Sequence, residues 1–125
     1  MIKLELPVYY NTGKTTVLFG MNWSRNAHFH ILNKSKKHYH KIVADKLSEF
    51  EKIDGKFKVR YVYFYKNSSS DAPNVVSQIE KVFLDAIQEI GLVENDNVKF
   101  HTAASWKVGG EDKINPRVEI ILYKD

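Results

Sequence analysis

The twenty-one residues from Asp71 to Gly91, DAPNVVSQIEKVFLDAIQEIG, constrain this chain more than any other stretch. Val75, Ile79, Val82, Phe83, Ala86, Ile87 and Ile90 recur at steps that keep them on one apolar face of an α-helix. Pro73 suits a first helical turn and Gly91 suits a stop, so the helix opens at or just after Asp71 and closes at Gly91. On either side lie FKVRYVYFY (Phe57–Tyr65), aromatic and β-branched as strands are, and the strand segment NVKFHTAASWKV (97–108). An amphipathic helix between two strands has to bury its face on a sheet.

The rest of the chain fits the same architecture. IKLEL (Ile2–Leu6) alternates as a strand and meets Pro7. TTVLFG (Thr15–Gly20) has room for a short strand after the turn NTGK, and MNWSRNAHFHILN has no clean period and reads mostly as loop. Lys34–Ile53 reads as a second long helix, with Tyr39, Val43, Leu47 and Phe50 on one face beside Ile42 and Ile53. Gly55 ends it, and VEIILY (118–123) is a last strand after the turn GGEDKINP. The expectation is one α+β domain over residues 1–125: a small mixed sheet with two long helices packed on it. The order is strand, loop, helix, strand, helix, strand, strand.

No apolar run nears the roughly 20 residues that a membrane-spanning helix needs. The first residues lack the apolar core of a signal peptide, and there are no cysteines, which together suggest a reducing cytoplasm. The net charge of +4 is unevenly spread. Residues 1–66 hold thirteen Lys and Arg against five Asp and Glu, whereas residues 67–125 hold six against ten. A basic half suits a polyanion and an acidic half suits cations.

Within the Asp71–Gly91 helix, Asp71, Asn74, Gln78, Lys81 and Asp85 follow steps of three and four along a single row. Asp71 has a plain reading as a helix cap, and Lys81 with Asp85 as a surface ion pair. A chemical reading is also open. If this helix and the strand after it are neighbours, Asp71 and Asp96 converge. Two or three carboxylate oxygens are how proteins hold magnesium beside a phosphate. Lys81 then supplies a cation for the charge that develops in phosphodiester hydrolysis.

The run DAPNVVSQIEKVFLDAIQEIGLVENDNVKF, followed by GGEDKINPRVEIIL, resembles the RusA family of Holliday-junction resolvases, small endodeoxyribonucleases common in phages and prophages. The shared elements are Asp71 with Asn74, then Lys81, then DAI at Asp85, Gly91, and END at 94–96. NWSRNAHFHILNKSKKHYHK also resembles the segment ahead of the first helix in phage members. The pattern differs in two places. Ser77 and Gln78 stand where many members carry an aspartate and an asparagine, and Asn95-Asp96 replaces an Asp-Asp pair, so Glu94 or Asp96 must serve. The resemblance implies magnesium-dependent nicking of four-way DNA junctions by a homodimer, with manganese as a possible substitute. It implies Asp71 and Asp96 as metal ligands, Lys81 as the catalytic cation, and Asp85 in or beside the metal site. Asn74 would orient a water or a phosphate.

Lys34, Lys36, Lys37 and Lys41 fall within eight residues with no acid among them, and Arg25 lies upstream. Such a segment suits phosphate contacts, which carry no base information. Trp23, His28, Phe29 and His30 have the chemistry to stack on bases, although such aromatics more often serve a core. His38 and His40 point apart in a helix and make a poor chelate. A competing reading is a module that binds branched or single-stranded DNA without cutting it. The strand Phe57–Tyr65 and the long helices are the candidate dimer surfaces.

Overall fold

The computed structural model describes all 125 residues. Nine elements follow in order: β1 (Ile2–Pro7), β2 (Tyr9–Asn11), β3 (Thr16–Leu18), α1 (Met21–Asn26), α2 (Phe29–Leu47), β4 (Phe57–Tyr65), α3 (Ala72–Glu89), β5 (His101–Glu111) and β6 (Arg117–Lys124). The main sheet has the order β1-β6-β4-β5 and is mixed, β5 being parallel to β4 and the other pairs antiparallel. The α+β expectation therefore holds, with a small β2–β3 hairpin and the short α1 added in the region that reads as loop.

The strands alternate as a half-covered sheet requires. Ile2, Leu4 and Leu6 of β1, Phe57, Val59, Tyr61 and Tyr63 of β4, and Val118, Ile120 and Leu122 of β6 are buried. They meet Tyr39, Val43 and Leu47 of α2 and the apolar face of α3 in one core. The other sheet face carries Lys3, Glu5, Arg60 and Glu119 with no helix over it. No helix is long and apolar enough to cross a membrane.

α3 opens and closes where its sequence says. Asp71 is the N-cap, Pro73 lies in the first turn, and Gly91 takes a φ of 75°, a left-handed value that a side chain would oppose. α2 begins five residues before the expected start, because His28 caps it through Nδ1, which accepts the His30 N–H. It also ends six residues early. Phe50 lies beyond the helix and is half exposed rather than on its buried face.

Candidate active site

α3 presents its polar row toward α1 and α2, and the row divides by job. Asn74 Oδ1 accepts the backbone N–H of Asn22 at 2.8 Å. Its amide nitrogen lies so close to Gly20 that a Cβ there would come within 2.5 Å. One turn later, the Ser24 hydroxyl donates to Gln78 Oε1 at 3.3 Å. Gln78 is 4% exposed, and a buried amide is expensive unless it is hydrogen-bonded. The two amides of the row therefore fasten α1, a helix with no buried residue of its own, alongside the first half of α3. Asn74 Oδ1 is thus engaged by the backbone of Asn22, while its amide N–H groups have no hydrogen-bond partner in the chain. The Gln78 that departs from the family pattern is an anchor. Gly20, Asn22 and Ser24 go unflagged in the sequence, because α1 has no period to reveal which side chains turn toward α3.

The charged members of the row are free. Asp71 accepts only the Asn74 N–H, at a long 3.5 Å. Lys81 and Asp85 do not form the surface ion pair their spacing permits, and neither has an ion-pair partner within 4 Å. Both line a pocket of about 130 Å³ between the three helices, with Ser24, Leu32, Gln78, Val82 and, from α2, Lys36. The basic segment of α2 is thus split. Lys36 turns toward α3, while Lys34, Lys37 and Lys41 follow a separate exposed row at steps of three and four. Arg25, exposed in the last turn of α1, follows directly on the pocket residue Ser24.

The aromatic and histidine residues near this site serve packing. Trp23 packs between Tyr10 and Phe19, with ring centroids 6.1 and 5.9 Å away. His38 turns to Tyr10 while His40 Nδ1 meets Glu89 Oε2 at 2.8 Å, so the two histidines do point apart. His28, Phe29 and His30 stack on one another at the exposed start of α2 and remain available to a ligand.

The acidic residues expected to share a metal do not meet within the chain. β4, α3 and β5 form a crossover between parallel strands, so the loop before α3 and the loop after it leave opposite ends of the sheet. Asp71 follows the Tyr65 end of β4. Asp96 belongs to a loop tied to the Phe57 end, where Ile53 N–H donates to the Leu92 carbonyl (2.7 Å) and Phe57 N–H to the Phe100 carbonyl (2.8 Å). α3 spans 18 residues, about 27 Å by rise per residue, and the two carboxylates stand beyond its opposite ends. Asp85 lies fourteen residues along the same helix from Asp71, roughly 21 Å by rise per residue. No three His, Asp or Glu residues are grouped to hold a metal ion. The fold therefore does not bring Asp71, Asp85 and Asp96 together within a single protomer. Neither a protein-family model nor a curated protein matches this chain.

Proposed function

We propose that this chain is a RusA-like Holliday-junction resolvase, a magnesium-dependent endodeoxyribonuclease that nicks four-way DNA junctions as a homodimer in recombination and repair. One observation carries the reading. Lys36 and Lys81 face one small pocket with a single carboxylate, Asp85, and no ion pair between them. An anion such as a DNA phosphate entering this pocket can be met by both ammonium groups. The row of Lys34, Lys37 and Lys41, with Arg25, extends that positive surface along the outside of α1 and α2. The resemblance over residues 71–98 names the same lysine as the catalytic cation.

In this reading Lys81 neutralises the charge that builds on the phosphate oxygens during hydrolysis, and Lys36 holds the phosphate in place. Because Lys36 lines the pocket of Lys81, its removal affects the cutting step as well as binding. Asp71 is held at a capped helix start with its carboxylate nearly free. Within one protomer Asp71 stands apart from Asp85 and Asp96, so a magnesium or manganese ion there would be held by one carboxylate together with waters and the DNA phosphate. An enzyme of this kind works in the cytoplasm of a bacterial or phage-infected cell.

The deciding experiment is incubation with a labelled synthetic four-way junction, with and without magnesium. Paired nicks that require magnesium are expected, and Lys81→Ala should slow them roughly tenfold to a thousandfold at saturating protein. Tight binding to junctions with no cutting in magnesium or manganese overturns the nuclease and leaves the binding module. That second reading is favoured by the same lysines and needs no metal.

A further inference from the structure

The turn between β5 and β6 reads DKINP, residues 112–116. An isoleucine at its centre goes against turn chemistry, which favours Gly, Asn, Asp, Ser and Pro. Ile114 is 96% exposed, more than any other large apolar side chain of the protein. The backbone that carries it is nonetheless braced. Asp112 Oδ1 accepts the Ile114 N–H at 3.1 Å and the Asn115 N–H at 2.9 Å. Arg117 Nη1 donates to Asp112 Oδ2 at 2.8 Å and to the Asn115 carbonyl at 3.0 Å, and the Arg117 guanidinium lies 4.1 Å from the centre of the Phe64 ring. The Asp112 N–H donates to the Tyr65 carbonyl at 2.8 Å, which ties the turn to the end of β4. An apolar side chain held out on a fixed turn gives up little freedom when a ligand covers it.

The turn borders an open cleft of about 520 Å³ lined by Tyr9, Lys66, Asn67, Ser68, Glu111 and Lys113. Its two cations differ. Lys113 is paired with Glu111 at 3.3 Å, whereas Lys66 has no carboxylate within 4 Å and rests over the Tyr9 ring, 5.5 Å from its centre. The loop that follows Lys66 is fastened too. The Ser70 N–H donates to the Asn67 carbonyl at 2.9 Å, and the Tyr63 and Ser70 hydroxyls share a hydrogen bond of 2.7 Å. That loop leads directly to Asp71. An unpaired cation with amide and hydroxyl groups suits a phosphate, and a bare isoleucine beside it suits an apolar surface. DNA offers the two side by side, as the phosphates and the base faces of one strand. Apolar wedges next to basic side chains are a known way for proteins to pry a base step open. The opening costs least where pairing is already disturbed, as at the branch point of a junction.

We propose that this corner is a second DNA contact: Lys66 meets a backbone phosphate in the cleft, and Ile114 inserts against the bases of the adjoining step and unstacks them. The proposal deepens the branched-DNA reading and rests on it, but it does not need the chain to cut.

The test is a four-way junction carrying 2-aminopurine at its branch point, whose fluorescence rises when that base leaves the stack. It is bound in EDTA so that nothing is cleaved. Wild-type protein should raise the fluorescence. Ile114→Ala should abolish the rise while leaving circular dichroism and the salt dependence of binding unchanged, and Ile114→Leu should restore it. Val98→Ala removes a side chain that is 93% exposed at the far end of the sheet and should leave the rise intact. Lys66→Gln should do the converse of Ile114→Ala: the rise persists at saturation, while the slope of log affinity against log salt becomes shallower by about 0.9. A wild-type rise that Ile114→Ala leaves in place, or that Val98→Ala removes equally, overturns the wedge. An unchanged salt slope in Lys66→Gln overturns the phosphate contact. Either result leaves the proposed function standing if wild-type protein nicks junctions in magnesium. Wild-type protein that binds no junction at all overturns this proposal and the proposed function together.

Discussion

The two edges of the sheet are finished in opposite ways. β1 is six residues long, ends in a proline, and has two of its carbonyls occupied by side chains of α2. Lys46 Nζ donates to Glu5 O at 2.8 Å and Tyr39 Oη to Pro7 O at 2.7 Å. Short length, proline and lysine are the usual ways a protein prevents strands from adding to an edge. β5 has none of them along its free side beyond Lys107, and it exposes a tryptophan. The same sheet closes one border and leaves the other open, so edge protection here is local to β1 and not a property of the whole sheet.

Three changes break or sharpen that contrast. The largest effect belongs to Gly109→Val. A Cβ at Gly109 would come within 2.6 Å of the Phe64 ring and 2.7 Å of Val62, so valine overpacks the seam that fastens β5 to β4. A loss of about 1–3 kcal/mol is expected, with faster hydrogen exchange in β5 and unchanged protection in β1. An unaltered melt would mean that β5 is held by something other than this seam. Tyr39→Phe should be milder. It keeps the ring stacked on Phe19 and removes only the hydroxyl that satisfies Pro7, which is worth about 1 kcal/mol in thermal melts. It also leaves one carbonyl of the closed edge without a partner, and equal stability would show that this plug is dispensable.

The smallest effect concerns acid. Arg117 of β6 holds Glu5 of β1 and Asp112 just past β5, and so ties the two borders together. The Asn115 backbone N–H, helped by the Ile114 N–H and by Arg117, holds the Asp112 carboxyl below its ordinary 3.8. A depressed folded value means the contribution is present above about pH 3.8 and fades as pH falls through the folded value. Asp112→Asn should therefore lower the melting temperature slightly at neutral pH, with the gap to wild type closing below pH 3.8. A gap that persists in strong acid would assign the effect to lost hydrogen bonds instead of to charge.

The sequence made α3 plain because three independent signals agree there: an apolar period, a proline in the first turn and a glycine at the stop. α1 was not visible. Six residues make too short a helix to stand alone, and MNWSRN folds because Asn74 and Gln78 receive its backbone and Ser24 while Trp23 packs on Tyr10 and Phe19. Which side chains lie in the row of α3 was legible from spacing alone. What the row faces was not, since that depends on α1 and on the angle at which α2 crosses. The separation of Asp71 from Asp96 was implicit in the order strand, helix, strand. Once β4 and β5 are taken as parallel, the two loops must lie at opposite ends.

The fastening of α1 has a consequence for how the molecule breathes. A six-residue helix with no fully buried residue, held by two side-chain amides and by Trp23 packed against Tyr10 and Phe19, opens at a smaller free energy than the core beneath it. Each opening strips Gln78 of its partner and carries Arg25 away from the pocket residues Lys36 and Lys81. A polyanion that engages Arg25 together with those lysines selects the closed form. It should slow amide exchange in residues 21–26 without touching their backbone, so the most weakly held helix of the protein becomes its most sensitive reporter of occupancy.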